Sequence, residues 1–180
     1  AWGDLMLMSS GKQRPGPWDD VVTASIGWWT DNGAYYHYSP QGQEYGGYQK
    51  AMYAMADYIA NLSLPFKHWQ LDSWWYPKGS GGNGSSQVSA NGDYHWVADP
   101  FVFPDGVAGL QKRVGLPFVL HNRWLVPDNY YIKQGIAGIE WTGESKKYTL
   151  PLDPDVFYEY FFTQQKGYGL SVYEQDFIHT

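Results

Sequence analysis

The chain has 180 residues, a formal net charge of −6, no cysteine and no Lys/Arg-rich block, which excludes disulfide frameworks, thiolate metal centres and a nucleic-acid partner held through its phosphates. No apolar run approaches the roughly 20 residues needed to cross a bilayer, and the early "LMLM" is too short and lacks the basic flank of a secretory leader. Aromatic residues make up 19% of the chain and cluster with Gly, Asn and Asp; flat rings beside hydrogen-bonding side chains suit a ligand with apolar C–H faces and many hydroxyls, which is the surface of a carbohydrate.

Residues 1–20, "AWGDLMLMSSGKQRPGPWDD", read as a leading segment or linker: a short apolar piece followed by a Pro/Gly-rich connector. From residue 21 onward a strand–helix alternation begins. "VVTASIGWW" (21–29) reads as a strand, and "YQKAMYAMADYIANL" (48–62) carries Ala, Met, Tyr and Ile at helical spacing. A second strand lies in "FKHWQLDSWWYP" (66–77), followed by the Gly/Ser/Asn-rich excursion 78–93 and a helix in "FPDGVAGLQKRVG" (103–115), opened by a Pro-Asp turn and closed by Gly115. "LPFVLHNRW" (116–124) is the third strand. After a long loop, "PLDPDVFYEYFFTQQKG" (151–167) reads as a helix with Asp153 as N-cap, Pro154 in the first position and Gly167 as its stop. "LSVYEQDF" (170–177) is the fourth strand.

Such alternation implies a parallel sheet covered by helices. The long polar and aromatic loops all follow strands, whereas the helix-to-strand links "NLSLP", "VGLP" and "KGYG" are short. In a β/α barrel this puts the elaboration at the carboxyl ends of the strands, the face that carries barrel active sites. Eight such units need typically about 250 residues, so residues 21–180 are expected to be the N-terminal half of a TIM (β/α)8 barrel continued beyond Thr180. A self-contained open α/β sheet is the alternative.

The strand exits collect the candidate site. They supply Trp28, Trp29, Asp31 and Asn32 from the first, Asp72, Trp74 and Trp75 from the second, His121, Asn122, Arg123 and Trp124 from the third, and Glu174 and Asp176 from the fourth. In "VYEQDF" the two-residue period of a strand puts Glu174 and Asp176 on one face and Tyr173 and Gln175 on the other. Two neighbouring carboxylates repel, so one holds its proton more tightly unless Arg123 or His121 offsets the charge. A retaining glycosidase uses such a pair, one attacking the anomeric carbon and one protonating the leaving oxygen.

In order and spacing, "GWWTDNG", "LDSWW", "LPFVLHNRW" and "YEQDF" resemble the strand ends of the catalytic barrel in the α-galactosidase and raffinose synthase clan of glycoside hydrolases. The resemblance runs from about Thr23 onward. It implies that Asp72 holds sugar hydroxyls, that Trp74 or Trp75 forms an aromatic wall, and that Asp176 is the nucleophile. It also implies chemistry without a cofactor and an acid/base on a sixth strand, which this chain does not reach. Two positions depart from the clan's pattern: Glu174 stands where the clan has a hydroxyl-binding Lys, and Asp72 is a single Asp where the second strand often has two.

Other features read as structural. His68 and His95 precede a strand end and sit in an insertion, "GSGGNGSS" lacks the Lys-Ser/Thr of a phosphate loop, and "WTDNG" lacks the ligand spacing of a calcium loop. No His-x-His or His-Glu-x-x-His spacing supports a metal-dependent hydrolase built on Asp31, Asp72, His121, Glu174 and Asp176. The remaining alternative is a glycan-binding protein that does not cleave. The sequons at Asn61 and Asn83, with a glycan ligand, point to an extracellular or secretory setting.

Overall fold

The strands β1 (Ile26–Trp28), β2 (Phe66–Leu71), β3 (Phe118–Asn122) and β4 (Leu170–Gln175) lie side by side in chain order, each parallel to its neighbour. They are described by a computed structural model covering residues 2–30, 45–79, 92–136, 138–142, 147–165 and 167–177. The helices are α1 (Trp2–Ser9) and α2 (Val21–Ala24) ahead of the sheet, α3 (Tyr48–Asn61) after β1, α4 (Gly106–Val114) after β2, and α5 (Tyr130–Gln134) and α6 (Pro154–Thr163) after β3. Right-handed crossovers between successive parallel strands put the connecting helices on one face of the sheet. A doubly wound sheet would reverse its strand order at a switch point. This is an α/β fold of parallel β/α units, wound as in the first half of a β/α barrel.

Local chemistry explains the element ends. Asp153 accepts from the Asp155 and Val156 amides at 3.1 and 3.2 Å, with Pro154 opening α6. Gly115 closes α4 in the left-handed region (φ 72°), its N–H bonded to the Gln111 carbonyl at 2.8 Å. Two expectations need correction. Residues 21–24 are helical instead of extended, because the Asp20 carboxylate accepts from the Val22 and Thr23 amides and nucleates a turn, leaving a strand of three residues. Gly167 is not the stop of α6, which ends at Thr163; beyond it the buried Gln165 side chain donates to the Trp96 carbonyl at 2.8 Å and ties the chain down.

Register sorts the side chains onto two faces. Trp28 and Trp69 are partners, as are Trp69 and Phe118, Leu71 and Leu120, and Leu120 and Tyr173. This face meets Met52 and Ile59 of α3, Val107 and Leu110 of α4 and Phe157 and Phe161 of α6 in one aromatic-rich core. The other face carries Gly27 beside His68, Gln70 beside Val119, Val119 beside Val172, and His121 beside Glu174. Apart from the buried His68 it is apolar low in the sheet, and it is polar toward the strands' carboxyl ends.

His68 is buried and lies within hydrogen-bonding distance of Ser25 Oγ, 3.2 Å from its Nδ1. Its ring fills the space over Gly27, where an added Cβ would come within 2.0 Å of Nε2. Gly27→Ala is therefore expected to destabilise the fold by roughly 1–3 kcal/mol through overpacking. Urea unfolding checks this, and an unchanged midpoint would refute the close packing of β1 on β2.

Candidate functional site

Gln70 is the hub of the polar face. Its Oε1 accepts from the Thr30 amide at 3.1 Å, which fixes the amide orientation and leaves Nε2 to donate to Asp72 Oδ2 at 3.3 Å and to Glu174 Oε2 at 2.9 Å. One buried amide thus bridges carboxylates from β2 and β4 across the width of β3. Thr30 closes the arrangement, its hydroxyl donating to the Gln70 carbonyl at 3.1 Å and accepting from the Asp72 amide at 2.9 Å. Asp72 Oδ1 also accepts from the Ser73 amide, and the Ser73 hydroxyl accepts from Arg123 at 3.1 Å.

Next to this hub stands His121. Its side chain is 1% exposed, whereas that of Asp176, 3.4 Å away between Nε2 and Oδ2, is 54% exposed. The ring's Nδ1 lies 3.1 Å from the buried Tyr76 hydroxyl. Burial lowers the pKa of His121 and Arg123 adds to the effect; Asp72 and Asp176 oppose it. The turn carrying Asp176 is itself constrained. Phe177 sits at φ 55°, an unusual place for an aromatic residue, with its amide on Asp176 Oδ1 at 2.7 Å and its ring 4.7 Å beneath the Arg123 guanidinium.

A second set of charges is buried behind the rim. Lys78, Asp93 and Asp99 are all buried, and the Lys78 ammonium donates to the Ser73 carbonyl. Burial first, and Arg123 second, lower the Lys78 pKa to about 7 against the pull of Asp72, Asp93 and Asp99. Burial pushes Asp93 well upward against the attraction of Lys78, and the His95 amide and Asn122 side chain face its carboxyl without meeting full hydrogen-bond geometry. Among the described residues no group of three or more His, Cys, Asp or Glu is arranged to hold a metal ion.

The expected site residues separate into three groups. Asp72, His121, Arg123, Glu174 and Asp176 come together as described, and Asn122 lies beside them with its amide on the Tyr173 hydroxyl at 3.0 Å. Trp29 is 42% exposed with its ring edge-on to His68, and Trp124 is half-buried with its ring edge-on to Phe177. The aromatic wall expected of Trp74 and Trp75 is not at the surface: both are fully buried, Trp74 against Tyr48 and Phe103, Trp75 against Tyr76 and Trp96. Two large rings in succession at the end of β2 gain more from the core than from solvent. Asp31 and Asn32, with most of the Gly/Ser-rich excursion and of "WTDNG", lie outside the described residues.

Sequence reasoning missed Gln70, Thr30, Tyr76 and Lys78. Gln70 was within reach, since the two-residue period puts it on the face of Asp72. The others depend on loop paths with no local signature. A cavity of about 350 Å³ opens nearby, lined by Arg123, Trp124, Tyr148, Tyr158, Tyr173 and Phe177 among others. It lies on the side of β4 that Tyr173 and Gln175 face, opposite Glu174, so it is not the space in front of the carboxylates.

No protein-family profile and no curated protein matches the chain. Among solved structures, a xylosidase from Aspergillus niger is similar with a TM-score of 0.46 at 15% identity, over 82% of this chain and 20% of that protein. The chain thus spans about a fifth of that protein's length.

The Lys78 environment has a measurable consequence. A lysine that titrates near 7 when folded and near 10.5 when unfolded binds fewer protons in the folded state between those values, so it contributes a rise in stability across that window. Lys78→Met is expected to flatten this rise and to be relatively most stabilising below pH 7. Chemical denaturation at pH 6.5, 8 and 9.5 checks it; parallel pH dependences in the two proteins would contradict the buried-charge account.

Proposed function

We propose that this chain belongs to a carbohydrate-active, glycoside hydrolase-like protein that hydrolyses or transfers a glycosyl group, with residues 21–180 forming the β/α unit and residues 1–20 leading into it. The observation that carries the reading is the meeting of Asp72, Glu174 and Asp176 around Gln70 and His121 at the strands' carboxyl ends, with the half-buried ring of Trp124 against Phe177 beside Asp176. Catalytic groups of barrel enzymes gather at this end, and paired carboxylates beside aromatic surface suit an oxocarbenium-like transition state on a sugar.

In this reading Asp176, the most accessible of the three, attacks the anomeric carbon while the bond to the leaving oxygen breaks and that oxygen takes a proton; water then hydrolyses the glycosyl ester. Asp72 grips substrate hydroxyls, and Glu174, tied to Gln70, supplies charge behind the reacting centre. The proton donor is sought on a later strand, as the resemblance to the α-galactosidase and raffinose synthase clan implies. No cofactor is needed. An extracellular or secretory setting fits a glycan substrate and the sequons at Asn61 and Asn83.

Asp176→Asn in the full-length protein is expected to lower kcat on a responsive aryl glycoside at least about 10⁴-fold while leaving affinity for the sugar nearly unchanged. A panel of aryl α- and β-glycosides, with calorimetric titration of the matching sugars, checks both halves. Normal turnover by the Asn variant would remove Asp176 as nucleophile. Saturable sugar binding with no turnover by the wild type would make the protein a glycan binder, and neither binding nor turnover would overturn the carbohydrate reading.

A further inference from the structure

Resting on that reading and extending it to residues outside the carboxylate set, we propose that Tyr76 and His121 are positioning residues: the Tyr76 hydroxyl fixes the imidazole tautomer, and His121 thereby presents an N–H to the Asp176 carboxylate. The argument starts from what each ring nitrogen faces. Nε2 lies 3.4 Å from Asp176 Oδ2, and an ionised carboxylate only accepts, so Nε2 must carry hydrogen for the contact to be attractive. Nδ1 of a neutral imidazole is then the acceptor, and the Tyr76 hydroxyl at 3.1 Å is the donor placed to meet it.

The surroundings select this state. His121 is buried, and its burial disfavours the cation in which both nitrogens would donate. Tyr76 is also fully buried, which keeps its phenol protonated and able to donate. The charged groups around the ring are Asp72 at the exit of β2, Arg123 at the exit of β3, and Glu174 and Asp176 on and after β4. Asp176 meets the ring directly, with Oδ2 3.4 Å from Nε2.

The pivot is fixed as well. The His121 carbonyl accepts two indole N–H groups, from Trp75 at 3.1 Å and Trp96 at 2.9 Å, and the Tyr76 ring lies nearly parallel to the imidazole, 12° between planes. Trp75 immediately precedes Tyr76, so one stretch of the loop after β2 sets both the backbone of His121 and its tautomer. The chain Tyr76 O–H to Nδ1, and Nε2–H to Oδ2, aims the carboxylate from behind and leaves its exposed side to a substrate. This is the orienting role that the third member of a catalytic triad performs on its histidine, here run in the opposite direction from tyrosine to carboxylate.

The experiment is ¹⁵N NMR of the His121 ring in the full-length protein, with His121→Gln as the assignment control, beside kinetics of Tyr76→Phe. The wild-type ring is expected to be the Nε2–H tautomer at pH 7, and Tyr76→Phe to shift its resonances toward a mixture of tautomers. On a responsive glycoside, Tyr76→Phe is expected to lower kcat about tenfold with KM changed less than about twofold. His121→Gln, whose amide nitrogen can take the place of Nε2, is expected to retain more kcat than His121→Leu. A wild-type ring protonated on Nδ1, ring resonances indifferent to Tyr76→Phe, or equal kcat in the Gln and Leu variants would overturn the proposal. Because the ring spectrum needs no turnover, a correct tautomer in a protein that cleaves no glycoside would sink the catalytic reading while leaving the Tyr76–His121–Asp176 relay standing. Should Tyr76→Phe not fold, the wild-type spectrum alone still decides the tautomer.

Discussion

The carbonyl of His121 receives two indole N–H groups, and much of the arrangement at the strand ends depends on that junction. Trp75 arrives from the loop after β2, and Trp96 from the segment that follows the long excursion. Both reach a single backbone oxygen at the end of β3. Each indole is also a core residue: Trp96 stacks on Phe161 of α6 with ring centroids 4.6 Å apart, and Trp75 packs edge-on against Trp96. The hydrogen bonds therefore satisfy buried donors that would otherwise cost free energy, and they couple the aromatic core directly to the residue whose side chain touches Asp176.

From that anchor the two faces of the sheet divide the work. The helix-covered face gains stability from apolar burial, with Trp69, Leu71, Phe118 and Leu120 in register beneath the helices. The opposite face carries buried polar groups that add stability only if they are mutually satisfied. Gln70 is the clearest example, with its carbonyl oxygen engaged by the Thr30 backbone and its nitrogen by Asp72 and Glu174. A Leu at that position would leave the Thr30 amide without this acceptor and Asp72 and Glu174 without this donor, so the amide both satisfies its neighbours and fixes the carboxylate geometry. Lys78 and Asp93 contrast with it: both are buried, burial disfavours the charged form of each, and the Asp93 carboxyl lacks the close donors that Gln70 gives Asp72 and Glu174.

Accessibility then grades the three carboxylates. Asp72 is buried and its carboxylate accepts from the Gln70 side chain and the Ser73 amide, Glu174 is half-buried and accepts from Gln70, and Asp176 is exposed on a turn whose next residue occupies the left-handed region. An aromatic residue at positive φ persists only where its surroundings over-determine it. Here the Arg123 guanidinium over the Phe177 ring and the amide bond to Asp176 Oδ1 do so. The group most open to a ligand thus stands next to a residue held in the left-handed region.

The alternation of strand and helix, the short returns from helix to strand, the N-cap at Asp153 and the stop at Gly115 were legible in the sequence, because each follows from local periodicity or the chemistry of one turn. So was the placing of Glu174 and Tyr173 on opposite faces of β4, since a strand's period is two. The conversion of residues 21–24 to helix was less legible, because a single Asp20 side chain outweighed a β-branched run. The burial of Trp74 and Trp75, the approach of Tyr76 to His121 and the bridging of Asp72 and Glu174 by Gln70 were decided only by the tertiary structure. Those contacts join residues 45, 46 and 104 positions apart in the chain, and their geometry depends on how parallel strands in register bring loop ends together. Sequence pattern determined which residues reach the strand ends; packing across the sheet determined which of them meet.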